Sequence, residues 1–385
     1  MEPIPFNRPY LVGTETSYIE QAARGGWLAA GGDFAARCEA ALAERTGAKR
    51  VLLTHSATAA LEASALLAGI GPGNEVIMPS FTFVTTASAF ALRRATPVFV
   101  DVDPETLNLD PAAVEAAVTD ATKAIVPVHY AGVGCDMDAL SAIAVDREIV
   151  LIEDAAQGLM SSYRERPLGS LGSLGAISFH ETKNVTCGEG GALLVNDPEM
   201  VERAEIVWTK GTDRARFERG EVDRYTWVEV GSSFGLGEVS AAFLYGQLEQ
   251  VEKITERRLE LWHRYHDAFA ELEEAGALRR PVVPADRTHN AHMYYVLLPD
   301  REARDRLLAD LSECQILAVF HYVPLHGSPA GERLGRVAGS LATTEDVAGR
   351  IARLPLYTGM TEDESGRVIE AVRDSVRASA LAARS

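Results

Sequence analysis

The sequence predicts the α/β class: a large, mostly parallel sheet wrapped by helices, then a smaller C-terminal α+β part. Three observations lead there. Short apolar runs recur through the first half of the chain, separated by segments of helical pattern. The runs are continuous rather than alternating, which marks strands covered on both faces. From about Val239 the pattern changes to a long charged helix, followed by strand-like pieces and terminal helices.

Val51-Leu52-Leu53-Thr54 is the first predicted strand. The Ala/Leu-rich stretch from Ser56 to Ile70 favours helix, and Gly71-Pro72-Gly73 ends it. Glu75 to Pro79 is the second strand, followed by a Thr/Ala-rich helix to about Arg94. Pro97 to Asp101 is the third strand. Asp110-Pro111 opens the next helix, with Asp as N-cap and Pro at the first helical position. Strands are predicted over Ala124–Val128 and Ile149–Asp154, with shorter ones over Gly175–Phe179 and Gly191–Val195. A helical pattern rich in Glu, Arg, Leu and Ala runs from Glu238 to about Glu274. Strand-like pieces cover Met293–Leu298 and Ile316–Phe320. The expected organisation is a large α/β domain over 1–245. A connecting helix and a small α+β domain fill 246–385.

The 385 residues are enough to bury a core without disulfides or metal. Lys plus Arg is 37 against 55 Asp plus Glu, a formal charge of −18. That excludes a general nucleic-acid binder and a polybasic membrane-surface protein. Cys38, Cys135, Cys187 and Cys314 are scattered, with no CxxC pair, so no zinc site and no disulfide framework is expected. Cys187 reads as a packing residue. The first residues lack a basic stretch followed by an apolar one, and no run suits a bilayer. A cytoplasmic protein is expected, with no resident metal.

Ligands of open α/β sheets gather at the carboxyl ends of strands, and three groups of polar residues fall there. Ser56-Ala57-Thr58 opens a helix directly after the first strand, so its N–H groups and the helix dipole can hold a phosphate. Asp154 ends the fifth strand after an apolar run, with Gln157 three residues on. A carboxylate buried there needs an N–H or cationic partner. Ser178 and Lys183 follow a buried strand and precede Gly188-Glu189-Gly190-Gly191. Burial of Lys183 disfavours its charged form and frees the amine as a nucleophile. Taken singly, a capping Ser or Thr, a capping Asp and a surface Lys explain these residues as well. Together they form the set that holds pyridoxal 5′-phosphate (PLP). Lys183 bonds the cofactor, Asp154 keeps the pyridine nitrogen protonated, and Ala57, Thr58 and Ser178 take the phosphate. Phe83 can stack on the ring.

Four stretches carry a family resemblance: Ser56 to Leu61, Pro79 to Val84, Ile152 to Gln157, and Ser178 to Asn184. In this order and spacing the chain resembles the PLP-dependent sugar-nucleotide aminotransferases of the DegT family, which have the aspartate-aminotransferase-like fold. The resemblance implies that Lys183 is the PLP lysine and Asp154 the partner of the ring nitrogen. It makes Gln157 a contact of the ring hydroxyl. It sets Phe83 on the ring, and Ala57, Thr58 and Ser178 at the phosphate. Ala57 stands where the family usually has Gly, which is harmless if only its N–H is used. The family's Gly-x-Asn-x-Arg reads Gly231-Ser232-Ser233-Phe234-Gly235 here, so Ser233 holds the position that reaches a neighbouring subunit's phosphate.

Lys210 to Arg214, Val222 to Trp227 and His321 to Pro329 resemble the dTDP-4-amino-4,6-dideoxyhexose transaminases. The resemblance implies transamination at C4 of a dTDP-4-keto-6-deoxyhexose with L-glutamate as donor. It implies a homodimer with shared active sites, and sets Lys210, Arg214, Tyr322 and His326 near the sugar nucleotide. Two alternatives belong to other classes. A PLP-dependent sugar dehydratase of the same fold carries His where Lys183 stands. A non-catalytic PLP-binding regulatory protein would have little use for both Asp154 and Lys183.

Overall fold

The computed structural model describes residues 2–382. Two helices, α1 (Glu15–Gly25) and α2 (Asp33–Thr46), precede the first strand. Strand and helix then alternate: β1 (Arg50–Thr54), α3 (Ala57–Leu67), β2 (Glu75–Pro79), α4 (Val84–Ala91), β3 (Thr96–Val100), α5 (Pro111–Ala117), β4 (Thr122–Ile125), α6 (Met137–Asp146) and β5 (Val150–Asp154). Two-residue strands β6 (Ser162–Tyr163) and β7 (Arg166–Pro167) lead to β8 (Leu174–Ser178) and β9 (Gly191–Val195). Next come α7 (Val201–Trp208), α8 (Arg214–Glu218), α9 (Glu238–Leu248), α10 (Val251–Ala268) and α11 (Ala270–Glu274). The rest is β10 (Arg287–Thr288), β11 (Tyr294–Leu297), α12 (Arg301–Glu313), α13 (Pro329–Leu334), β12 (Arg336–Val337), α14 (Ala342–Arg350), β13 (Ile351–Leu354) and α15 (Glu362–Ala382).

The main sheet has the order β1-β9-β8-β5-β4-β2-β3-β12. Pairings from β8 to β12 are parallel, while β9 runs antiparallel to both β8 and β1. The apolar runs are continuous because both faces are covered. Leu52 packs with Ala60, Leu61 and Phe90 on one face. Its neighbours Val51 and Leu53 pack with Phe34, Ile177 and Leu244 on the other. Further along, Ile77, Val98 and Ile125 meet Leu140 of α6.

A second core gathers Leu261, Trp262, Tyr265, Val296, Leu307, Leu354 and Val372. Helix α10 joins the two bodies: Val251 and Ile254 at its start pack with α2 and α9, and Leu261 and Tyr265 pack in the second core. The helical pattern over Glu238–Glu274 is therefore three helices, broken near Glu249-Gln250 and at Phe269. The apolar run Ile316–Phe320 forms no regular strand. It pairs only at two isolated points, Ile316 with Ile4 and Val319 with Arg353. Its partners come from different segments, so no ladder extends.

Local chemistry fixes the elements that border the site. Ser56 caps α3 by accepting the Ala59 N–H (3.1 Å). Asp110 caps α5 at Ala112 (2.9 Å), with Pro111 at the first helical position. The start of α3 presses on the start of β9. A Cβ on Gly191 would lie 2.4 Å from the Ala57 nitrogen, so only glycine admits this approach.

Candidate active site

A cavity of about 790 Å³ opens at the carboxyl ends of β1, β2, β5 and β8, where the two cores meet. The large sheet contributes Ala57, Thr58, Phe83, Asp154, Gln157, Ser178 and Lys183 to its lining. The second body contributes His292, Tyr322 and Arg353, with Arg258 from α10. Phe6 and Asn7 of the N-terminal arm close one side. The arm spans the bodies: Ile4 pairs with Ile316, and the Asn7 amide donates to the Glu181 carbonyl (3.2 Å).

Each group is where its strand delivers it. Asp154 ends β5 and is buried. One carboxylate oxygen accepts from the Thr86 hydroxyl (2.7 Å), the other from the Ala156 N–H (3.2 Å). The preceding residue, Glu153, points into the opposite side of the sheet. It accepts from the N–H groups of Gly169 (2.8 Å), Leu171 and Gly172 (both 2.6 Å). His129 bonds it at 2.8 Å through Nε2. The Cys135 N–H occupies His129 Nδ1, so the proton on Nε2 is the one given to Glu153. The end of β5 is thereby anchored from behind.

Lys183 sits in the connection between β8 and β9. Burial pulls its pKa from 10.5 down to about 8; Asp154 opposes this and Arg353 adds to it. The amine therefore reaches its neutral, nucleophilic form above about pH 8 rather than above 10.5. The adjacent Asn184 is fixed at both ends of its amide. It donates to the Asn290 carbonyl (2.8 Å), and its oxygen accepts from His292 Nδ1 (3.1 Å). Burial, with the charges of Lys183, Arg258 and Arg353, holds the His292 pKa well below its ordinary value, so the ring is neutral.

At the cavity's other end the N–H groups of Ala57 and Thr58 open α3, with Ser178 beside them in the lining. The Ser56 side chain satisfies only Ala59, which leaves the first two N–H groups for an anion. The Gln157 amide oxygen accepts from Ala131 (2.7 Å), and its nitrogen donates to the Tyr322 hydroxyl (3.1 Å). Phe83 lines the cavity and is 56% exposed.

Tyr322 is thus in the cavity with the predicted PLP contacts. Ser233, Lys210, Arg214 and His326 do not line it within this chain. Ser233 lies exposed and bridges Thr209 through its backbone. Arg214 pairs with Glu218 (2.8 Å). Both ring nitrogens of His326 are engaged, by Ser80 (2.8 Å) and Glu345 (3.2 Å), so it braces the 321–329 segment from outside the cavity.

Sequence reasoning missed Thr82, Thr86, Arg258, His292 and Arg353. Arg258 lies in a run of helical charges and is nonetheless buried, donating to the carbonyls of Ala291 (3.1 Å) and His292 (2.7 Å). Burial lowers its pKa to about 9. Arg353 lies over the Phe6 ring, 4.6 Å from its centroid, with its Nε buried and unpartnered. Burial lowers its pKa as well. No local pattern marks either residue, because both are brought in by tertiary packing.

The site fits PLP on these grounds: free N–H groups at a helix start, a buried hydrogen-bonded carboxylate, and a desolvated lysine in one cavity. Comparison with known proteins agrees. The model of the DegT/DnrJ/EryC1/StrS aminotransferase family matches residues 9–373. The spore coat polysaccharide biosynthesis protein SpsC of Bacillus subtilis is 35% identical over 382 residues, covering 97% of each chain. The aminotransferase TlmJ from Streptoalloteichus hindustanus is 32% identical, with a TM-score of 0.89 over 97% of this chain and 99% of that one. Spr1654 from Streptococcus pneumoniae has been solved in a PMP form (TM-score 0.91, 26% identical, 100% of both chains). It has also been solved in a PLP form (TM-score 0.86, 27% identical, 98% and 99%). The chain belongs to the DegT/DnrJ/EryC1/StrS aminotransferase family and is a PLP-dependent sugar aminotransferase.

Proposed function

We propose that the enzyme moves the amino group of L-glutamate to C4 of a dTDP-4-keto-6-deoxyhexose. The product is dTDP-4-amino-4,6-dideoxyglucose or the galactose isomer. One observation carries the chemistry: Lys183 shares a cavity with a buried, doubly hydrogen-bonded Asp154. The substrate assignment rests on the resemblance of the segments at 210–214, 222–227 and 321–329.

In this reading Ala57, Thr58 and Ser178 hold the cofactor phosphate, and Phe83 covers the ring. Asp154 holds a proton on the ring nitrogen. Gln157 has one amide hydrogen left after Tyr322 and turns it to the ring hydroxyl. Bound PLP supplies an electron sink for the carbon that loses its proton. Lys183 Nζ would take the proton from the donor's α-carbon as general base and deliver it, as general acid, to C4′ of the cofactor. The cavity volume leaves room for a sugar beside the cofactor.

A homodimer belongs to the same proposal. Phe83 and Phe320 line the cavity yet are 56% and 53% exposed. Trp227, Val228 and Val230 leave a further apolar strip uncovered. A second copy covering these residues would complete the wall and carry Ser233, Lys210 and Arg214 toward a partner's site. Domains over 1–245 and 246–385 and a cytoplasmic location complete this reading. The test is incubation of the holoenzyme with dTDP-4-keto-6-deoxyglucose and L-glutamate, followed by NMR of the product. The C4 proton couplings read the configuration, and unchanged substrate refutes the proposal.

A further inference from the structure

The hydroxyls of Thr82 and Thr86 form a short chain that ends on Asp154. Thr86 Oγ1 lies 2.7 Å from Asp154 Oδ2 and 2.9 Å from Thr82 Oγ1. An ionised carboxylate only accepts, so the Thr86 proton goes to Asp154. Thr86 must then accept from Thr82. Both threonines are buried, at 0% and 1% exposure for Thr86 and Thr82.

This arrangement is unusual for its place in the fold. Thr86 is the third residue of α4, and a hydroxyl in a first turn ordinarily serves its own backbone. Here it is spent on a residue 68 positions away, at the end of β5. Among the described residues Thr86 is the one side-chain donor to Asp154; the other donor is the Ala156 backbone. We propose that Thr86, backed by Thr82, is a positioning residue that orients the Asp154 carboxylate opposite the ring nitrogen of PLP. The proposal rests on the assignment of Asp154 made above.

The chemistry is direct. The donor on Oδ2 and the Ala156 N–H on the other oxygen fix the plane of the carboxylate, so it faces the ring nitrogen in one orientation. The second donor, Thr82, polarises Thr86 and strengthens its bond. Without the Thr86 hydroxyl the carboxylate is free to turn away, the ring nitrogen holds its proton less firmly, and the electron sink weakens. Oδ2 then also loses its fixed direction.

The test compares wild type, Thr86→Val and Thr86→Ser as holoenzymes. The first readout is the 15N chemical shift of bound cofactor labelled at the ring nitrogen. The second is the pH profile of single-turnover reaction with L-glutamate. Thr86→Val is expected to move the shift toward the unprotonated nitrogen and slow the single turnover by about tenfold to a hundredfold. Thr86→Ser should restore both. Should Thr86→Val fail to fold, Thr82→Val carries the test with a few-fold effect of the same sign. An unchanged 15N shift and pH profile in the folded variant overturns the role of Thr86. A wild type that takes up PLP but is inert to glutamate overturns the reading beneath it and the proposal together.

Discussion

Burial of the Lys183 amine can be measured without any turnover. The perturbation is Lys183→Met in the cofactor-free protein. In the folded chain the Lys183 pKa is about 8 instead of 10.5. The folded-state value is depressed, so the unfolded chain binds more protons between these limits. The sign follows: stability rises with pH through the window from about 8 to 10.5. Below about pH 8 the buried charge costs the full difference, about 3.4 kcal/mol. At about pH 10 roughly 0.8 kcal/mol of that cost is left. The variant lacks this titration. Its stability advantage over wild type should therefore shrink by about 2.5 kcal/mol between about pH 7 and pH 10. Urea titrations of both proteins at one protein concentration measure it. A difference independent of pH would refute the claim that the amine is desolvated.

Two further predictions concern the walls around that amine. Gly191→Ala drives a Cβ to within 2.4 Å of the Ala57 nitrogen. Overpacking of that kind costs about 1–3 kcal/mol, so PLP affinity should fall roughly tenfold in a titration of the cofactor-free protein. Unchanged affinity would remove the start of α3 from the phosphate site. Arg353→Met removes a cation that lowers the Lys183 pKa. The alkaline rise of the glutamate reaction should move to higher pH, and a shift to lower pH would contradict the electrostatic account.

The sheet is legible because its strands are buried on both faces, which leaves uninterrupted apolar runs such as Val51–Leu53 and Val150–Ile152. Placement in the cavity is legible where it follows those runs, as at Asp154, Ser178 and Lys183. Legibility fails where local pattern and tertiary partner disagree. Glu249 and Gln250 carry no Gly or Pro, so the break between α9 and α10 has no local mark. Ile316–Phe320 has the composition of a strand, but its backbone finds partners at only two points. Thr82 and Thr86 read as ordinary residues at a helix start, and only the approach of α4 to the end of β5 links Thr86 to Asp154. Arg258 and Arg353 read as helix and strand charges until packing brings them to the cavity that holds Lys183. Ser233, Lys210 and Arg214 are legible only through resemblance, and within one chain they stay outside the cavity.

The central claim is that the Lys183 amine performs the transamination. The measurement is the visible absorbance of wild type and Lys183→Ala, each loaded with PLP, before and after L-glutamate. Wild type should show the band of lysine-bound cofactor and lose it on glutamate addition, with one equivalent of 2-oxoglutarate released. Lys183→Ala should lack that band and release 2-oxoglutarate more slowly by several orders of magnitude. A variant that keeps the band and the wild-type rate would contradict the account.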